Sequence, residues 1–334
     1  MAICALILCL VATTPHSYAS SISLKEKVTV QAIEFMNLLS QQQQQQLVTP
    51  YVSAERLRWS NLPGSYRRAG LKVGDLADNQ RMALHTLLQQ VLSPAGYLKL
   101  LNIMRQDQAI KERYTEEAND LQHSYGHALY HIAFFGQPSA TEPWMLKFEG
   151  HHFSLNLAFS QQGIQVTPLF MGAHPAKVQQ GTLAGSSHMA QEETDSWRLF
   201  NSLTDEQRKK TILTEKMPDD ITVRRGDEPV LQATGGLPVT DMNPRQQYWL
   251  KNVIRAWLHN LPAELARQKE EKMMRHLGNT TFAWAGGVQP GQARYFRIAS
   301  PAFIIELDNR SYEPNHIHSV WWELPAAEWN RNEE

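Results

Sequence analysis

Two blocks of alternating apolar and polar residues, one in the middle of the chain and one at its end, most constrain how this sequence folds. In the first block, Phe153, Leu155 and Leu157 alternate with small or polar residues, which is the two-residue period of a strand. Gly163 can turn the chain into a second strand that ends near Phe170. The final block predicts four more strands, at residues 280–285, 293–299, 302–308 and 317–324. The sheet must therefore join parts of the chain that are far apart in sequence.

Helical patterns occupy the segments before and between the two strand blocks. Val28, Ala32 and Phe35 recur at helical spacing near the start of the chain. Thr204 and Gln207 form the capping box that begins a later helix. These patterns predict an α+β fold in which a helical N-terminal part and inserted helices pack on a mixed or antiparallel sheet formed by the middle and C-terminal segments. The sequence shows no internal repeat.

A chain of 334 residues has the length of one large domain or of two closely packed ones. We expect residues 20–334 to form a single α+β domain; the alternative is a separate helical subdomain at residues 20–140. The 33 acidic and 32 basic side chains leave a net charge of −1, which provides no basic field for nucleic acid or an anionic membrane. Nucleic acid is therefore not an expected partner.

The first 19 residues have the features of a secretory signal peptide. An uncharged apolar run, too short to span a bilayer, is followed by Ser17-Tyr18-Ala19, which ends like a cleavage site. The run lacks the usual basic residue before it, so an uncleaved N-terminal anchor is the alternative. Cleavage would remove Cys4 and Cys9 and with them any disulfide or thiolate ligand. We expect an exported protein, periplasmic or secreted, with no membrane contact after cleavage.

Two histidine pairs in predicted strands are the strongest candidates for a functional site. The first pair is His151-His152, whose side chains point to opposite faces of a strand, so that only one of them can face a given site. The second pair is His316 and His318, which share a strand face at about 7 Å along the chain. That spacing suits two ligands of one metal ion. We therefore predict a metal site drawn from these four histidines.

Two glutamates accompany the histidine pairs. Glu149 shares a face with His151 if Gly150 leaves the strand regular, and Glu306 is a charged residue on a strand that is otherwise apolar, where it needs a partner. We predict that one of these carboxylates acts as a catalytic base. Neutral imidazole together with carboxylate suits a divalent transition metal, and zinc, iron, manganese and copper all remain open.

A further series, His123, His127 and His131, has the spacing of one helical face. We predict a helix here that continues to Phe135, with the histidines on an exposed or half-buried face. Ligation by the series is the alternative, but the HExxH motif of zinc proteases is absent, because Ser124 follows the first histidine.

These residues predict an exported metal-dependent enzyme, and a hydrolase is the most economical form because a bound metal lowers the pKa of its water. A metal-dependent oxidoreductase is the second enzymatic possibility. The third is a ligand-binding protein without catalysis, in which Trp284 and Trp321 stack on a sugar or aromatic ligand in a histidine-lined cleft. The substrate is left open as a small molecule, a carbohydrate or a peptide.

Five ordered motifs, from WMLKFEGHHFSLN at residues 144–156 to NHIHSVW at residues 315–321, resemble the bacterial and fungal domain of unknown function 3500 family. The resemblance covers roughly residues 25–325. It implies an exported protein, and it maps the GHH and NHIHSVW histidines of the family to His151, His152, His316 and His318. The family brings no established activity. The HSYGHALYH histidines and His174 depart from its motifs, which lowers their standing as site residues.

Overall fold

The computed structural model describes residues 22–64, 67–180, 184–214, 216–223, 235–289, 291–309 and 314–324. The predicted signal peptide, residues 1–19, lies outside these ranges. Within the described ranges, no helix has the length and apolar character needed to cross a membrane.

The described residues form eight α-helices and a twelve-stranded mixed sheet, which confirms the α+β prediction. The helices are α1 (Leu24–Asn37), α2 (Gln41–Leu47), α3 (Asp78–Val91), α4 (Pro94–Glu116), α5 (Ala190–Asn201), α6 (Asp205–Thr211), α7 (Pro244–Leu258) and α8 (Ala263–Arg275). The strands are β1 (Val48–Thr49), β2 (Leu71–Lys72), β3 (His131–Phe135), β4 (Trp144–Gly150), β5 (Phe153–Ser160), β6 (Gly163–Ala173), β7 (Ile212–Thr214), β8 (Leu237–Pro238), β9 (Thr281–Gly286), β10 (Arg294–Ala299), β11 (Phe303–Asp308) and β12 (Ile317–Glu323).

The order of the strands is symmetric about the centre of the sheet. The order is β1-β3-β4-β5-β6-β12-β11-β10-β9-β7, with β2 beside β3 and β8 beside β9. β1 is parallel to β3 and β7 is parallel to β9, whereas the other neighbouring pairs are antiparallel. β6 and β12 meet at the centre, so the middle and final strand blocks of the sequence join there, as the two-residue periods predicted.

The sheet has two faces that are covered differently. On one, which we call the helix face, buried apolar residues of α1–α5, α7 and α8 pack on strand residues such as Trp321. On the other, the loop face, Trp59 and Ile221 from irregular segments join Phe170 and Trp322 in a second core. Residues 50–64 and 216–223 are the described parts of these covering segments. The loop face is the one that carries His318, because strand side chains alternate and His318 is four residues before Trp322.

The fold is an internal repeat, which corrects the expectation that there is none. The first half runs helix, short helix, short parallel strand, short antiparallel strand, two helices and four antiparallel strands, from α1 to β6. The second half repeats that order from α5 to β12. The two halves pair through β6 and β12, which gives the sheet an approximate two-fold axis. The repeat lies in the order and pairing of the elements, and a fold is kept by burial pattern more than by residue type.

One hydrogen-bonded motif shows the repeat at atomic detail. The Nε2 of Gln43 donates to Oε1 of Gln80 at 3.1 Å, and the Nε2 of Gln207 donates to Oε1 of Gln246 at 3.0 Å. All four glutamines occupy the third position of a helix, where each accepts from the backbone of its N-cap residue. The same contact therefore joins α2 to α3 and α6 to α7. Gln43, one of these four glutamines, belongs to the six-glutamine run at residues 41–46.

The segment at residues 123–135 is not a helix, contrary to prediction. Short 3₁₀ turns at Asp120–Ser124 and His127–Leu129 flank Gly126, which has φ of 118°. That conformation breaks a helix, and glycine adopts it at no steric cost. His131 then begins β3, so the first half of the chain supplies strands to the common sheet. The helical spacing of the three histidines was a coincidence of a turn followed by a strand.

Candidate metal centre

Three histidine side chains from two distant segments converge on one point on the loop face, at one end of the central strands β6 and β12. The Nε2 atom of His152 lies 3.0 Å from Nε2 of His316, a residue 164 positions later, and 3.3 Å from Nε2 of His318. One nitrogen from each ring lies within 4.8 Å of the others. His152 and His318 are buried and His316 is half-buried. The predicted meeting of the two histidine pairs is therefore present in the fold.

The turn between β4 and β5 places His152. Its φ of 61° is in the left-handed region, which costs a residue other than glycine about 1–2 kcal/mol. Two backbone hydrogen bonds hold this turn: His152 N–H donates to Asn61 at 3.1 Å, and Gly172 N–H donates to the His152 carbonyl at 2.8 Å. These contacts tie the turn to a loop-face segment and to β6.

The absence of a side chain at Gly172 makes room for the His152 ring. Gly172 in β6 pairs directly with His318 in β12. A Cβ on Gly172 would lie 3.0 Å from the His152 ring, tighter than ordinary van der Waals contact. Glycine at this position thus lets the His152 imidazole lie over β6 and reach the imidazole of His318.

A carboxylate orients the ring of His318. The Nδ1 atom of His318 lies 2.7 Å from Oδ1 of Asp220, a half-exposed residue in the covering segment 216–223. A carboxylate in this position keeps the ring proton on Nδ1 and leaves the Nε2 lone pair directed at His152 and His316. Asp308, fully buried and paired with His318 across β11 and β12, forms with Asp220 and His318 a second group whose donor atoms lie within 4.8 Å of one another.

His151 and His174 surround the cluster without belonging to the group of three nitrogens. The prediction that His151 and His152 point to opposite faces of a strand is wrong, because both lie in the turn between β4 and β5 and their rings stack at 3.8 Å. The Nδ1 of His151 lies 2.7 Å from Oδ1 of Asp107 in α4. The ring of His174 stacks on His316 at 4.4 Å. His151, a predicted ligand, thus has a carboxylate partner of its own, and its neighbour His152 is the one whose Nε2 faces the other ring nitrogens.

Burial keeps His152 neutral. Desolvation lowers its pKa well below the usual value for histidine, and repulsion from the neighbouring histidines lowers it further. The environment of His152 therefore favours the neutral form of its side chain, which is the form that binds a metal ion.

The two predicted glutamates have hydrogen-bond partners in the covering segments. Glu149, buried, accepts from Ser60 N–H at 3.1 Å and lies 3.9 Å from the guanidinium of Arg68. Glu306, also buried, accepts from the backbone and hydroxyl of Thr222 and from Val223 N–H at 3.2 Å. Burial raises the pKa of Glu306, and these donors counteract the rise.

Each glutamate holds a segment that itself contacts the histidine cluster. Glu149 binds Ser60, next to the Asn61 carbonyl that accepts from His152. Glu306 binds Thr222, two residues after the Asp220 that orients His318. Neither contact is visible in the sequence, because the covering segments lack periodicity and their partners lie far away along the chain.

Trp284 and Trp321, proposed as ligand-stacking residues, lie in the core of the helix face. Trp284 is fully buried and stacks on Phe200 at 4.3 Å. Trp321 is 2% exposed and stacks on Phe303 at 6.0 Å. Neither indole ring lines an open cleft near the histidines.

The fold and this cluster together define an internally repeated α+β protein with a three-histidine site built asymmetrically from its two halves. The chain belongs to the family described as "Protein of unknown function (DUF3500)", whose model matches residues 23–327, nearly the whole chain. No curated protein and no solved structure matches it.

Proposed function

We propose that this protein is an exported metal-dependent enzyme, most economically a hydrolase, whose ion is held by His152, His316 and His318. The observation that carries the proposal is the distance of the His152 Nε2 atom from the Nε2 atoms of His316 and His318. Ligand nitrogens at 2.0–2.1 Å from a tetrahedral ion are about 3.3 Å apart. The His152 contacts of 3.0 and 3.3 Å match that edge length.

Protonation supports the same assignment. The Nδ1 of His318 faces Asp220, so the neutral ring carries its proton there and its Nε2 has only a lone pair. The Nε2 of His152 has two short contacts with ring nitrogens, and in neutral rings a single proton would have to serve both. Otherwise one contact joins two lone pairs. A cation at the centre of the three nitrogens removes this conflict.

Three neutral imidazoles suit zinc, copper or iron better than manganese, which prefers oxygen ligands. Three protein ligands also leave a coordination position open, which is the pattern of catalytic sites. When bound there, such an ion supplies a Lewis acid and a water of lowered pKa. The residues of this chain hold the ring nitrogens, fix the tautomer of His318 through Asp220, and keep His152 neutral.

In this proposal Glu149 and Glu306 are positioning residues in place of the base role suggested by the sequence. Their oxygens accept from Ser60, Thr222 and Val223, in the segments that hold His152 and Asp220. These hydrogen bonds direct the carboxylates at the covering segments, and, among the residues that the structure describes, neither glutamate belongs to a group that could hold a metal ion. Export to the periplasm or beyond the cell is part of the proposal and follows from residues 1–19.

Metal analysis of protein purified without a histidine tag tests the proposal. We expect about one equivalent of metal in the wild type, and loss of that metal in His316→Ala and His318→Ala. His259→Ala, which removes an exposed histidine at the end of α7, is the matched control and should retain the metal. Wild-type protein that stays metal-free after incubation with zinc, copper and ferrous iron would refute the metal site.

Activity assays distinguish a hydrolase from an oxidoreductase. A metal-loaded protein that hydrolyses ester, amide or phosphate probes and loses this activity in His318→Ala supports the hydrolase. Metal-dependent electron transfer to or from added redox dyes, without hydrolysis, supports the oxidoreductase. Stoichiometric metal with neither activity indicates a metal-binding protein without catalysis and contradicts the enzymatic part.

A further inference from the structure

We infer that a groove between α5 and α7, on the helix face, is a second binding site for a small ring compound that carries a carboxylate. The groove has a volume of about 780 Å³, within the range of small-molecule sites. Its walls include two tryptophans and two arginines: Trp197, Arg198, Arg245 and Trp249. It lies across the sheet from the face of His318, so the inference is independent of the proposed metal chemistry.

The two tryptophans provide half-buried ring surfaces. Trp197 is packed from behind by Trp284 at 5.1 Å and by the Arg294 guanidinium at 4.8 Å. The guanidinium of Arg198 lies 5.5 Å from the ring centre of Trp249. Among the described residues, neither indole N–H has a hydrogen-bond partner, and neither is sealed from solvent. The rings are therefore held in place on the protein side and leave an edge for a ligand.

The internal repeat shows that this groove is a specialisation of one half. α1 packs on α3 as α5 packs on α7. With the helix ends and the paired glutamines superimposed, the positions of Trp197 and Arg198 correspond to Ile33 and Glu34. Those of Arg245 and Trp249 correspond to Asn79 and Ala83. The fold therefore does not require the two tryptophans and two arginines.

The charge of the groove indicates an anionic ligand. In the first half, the positions that match the two arginines hold Glu34 and Asn79, with a total charge of −1. In the second half they hold Arg198 and Arg245, with a total charge of +2. Asp195 pairs with Arg198 at 3.0 Å. Arg245 is exposed and has no ion-pair partner in the part of the chain that the structure describes. One cationic group is thus left for a carboxylate, which binds arginine through charge-assisted hydrogen bonds.

The remaining walls suit a polar ring. The side chains of Asn201 and Asn243 lie at the groove. The Oδ1 of Asn243 accepts from Gln246 N–H, so its Nδ2 is the group that can donate to a ligand, while the Asn201 amide can donate or accept. Indole edges, asparagine amides and a free arginine together fit either an acidic sugar or an aromatic acid. The shared chemistry is a flat or apolar ring face with one carboxylate.

Isothermal titration of the full-length protein tests this site with sodium glucuronate and sodium benzoate, and with glucose and benzyl alcohol as uncharged counterparts. We expect at least one acid to bind about tenfold more tightly than its counterpart, and more weakly at high salt. Preference for glucuronate identifies the site as one for acidic sugars, and preference for benzoate as one for aromatic acids.

In each of two variants, a groove residue is replaced by the residue type that the first half of the repeat has at the matching position. Arg245→Asn and Trp249→Ala should each weaken binding of the acid about tenfold, with unchanged circular dichroism. Lys209→Asn removes an exposed cation on α6 that is outside the groove, and should bind like the wild type. The inference is overturned if neither acid binds better than its counterpart, or if both groove variants bind as well as Lys209→Asn.

Discussion

The close approach of Gly172 to the His152 ring is a steric constraint on the histidine cluster. A methyl group on Gly172 would meet both the His152 ring and the Ile317 carbonyl at 3.0 Å. Because both neighbours belong to the site or its strand, the Cβ cannot be accommodated without moving a ligand. The size of one residue in β6 therefore decides whether the ring nitrogens can meet.

Gly172→Ala should lower metal affinity by about tenfold, because the His152 ring must shift away from His316 and His318. Competition with a metal-binding dye measures the affinity. Gly278→Ala is the matched control, since its Cβ meets nothing within 4 Å. Equal affinities in the two variants would show that the position of His152 does not limit metal binding.

Asp220→Ala should lower metal affinity by about 10–100-fold, the usual cost of losing the carboxylate behind a ligand histidine. The cause is the loss of the Nδ1 contact at 2.7 Å that fixes the tautomer of His318. Asp219→Ala removes an adjacent exposed carboxylate and should leave affinity unchanged. Similar losses in both variants would instead point to a general effect of charge.

At the scale of elements, buried Glu323 joins α8 to the two central strands. Its carboxylate contacts Lys269 at 2.8 Å and Lys272 at 2.9 Å, and accepts from Val166 N–H at 3.1 Å. Burial alone would raise the pKa of Glu323, but the two lysines outweigh it, and the pKa is lowered. The folded state therefore favours the ionised form, and this stabilisation is present above the unfolded pKa of 4.5.

Glu323→Gln should reduce the free energy of unfolding at pH 7 by about 3 kcal/mol, because it leaves two lysines beside a neutral group. The difference from the wild type should shrink as pH falls below 4.5, through the lowered pKa at which Glu323 itself becomes protonated. Urea unfolding at pH 7 and pH 3 measures both effects. Glu271→Gln, which breaks an exposed pair with Arg267, should cost less than about 1 kcal/mol. A loss for Glu323→Gln that is independent of pH would contradict the assigned pKa direction.

Local sequence signals located most elements, but they failed where tertiary contacts decided the conformation. Phe153, Leu155 and Leu157 predicted β5 because alternation reports which side of a strand is buried. The capping residues Thr204 and Gln207 predicted the start of α6, because their hydrogen bonds form within one turn. The helix predicted from the three histidines of residues 123–131 was wrong. Their spacing fits a helix, but Gly126 and the pairing of β3 with β4 impose another conformation.

At the scale of the whole molecule, the proposed ion would connect the two halves of the repeat. His152 belongs to the first half, and His316 and His318 belong to the second. The halves also meet through β6 and β12, and through contacts such as the hydrogen bond from Ser93 N–H to the Asn260 carbonyl. An ion bound only by the folded state stabilises it by mass action, by about 2.7 kcal/mol at a free concentration one hundred times Kd.

Removal of metal by a chelator should therefore lower the Tm of the entire protein in one cooperative transition, without exposing one half first. Differential scanning calorimetry with and without EDTA measures this shift. His318→Ala should have the Tm of the metal-free protein both with and without EDTA, and so show no response to the chelator. Two transitions, of which only one responds to metal, would show that the halves unfold separately and that the ion belongs to one of them.

The sequence by itself determined the α+β class, the strands of the final block and the residue types able to bind a metal, because periodicity, capping and ligand chemistry are properties of neighbouring residues. Tertiary structure alone decided that the chain repeats, that His152 and not His151 joins His316 and His318, and that Glu149 and Glu306 bind covering segments. These facts depend on strand order and on contacts between positions up to 166 residues apart. Such contacts leave no periodic pattern in the sequence, since each partner is chosen by the packing of the sheet.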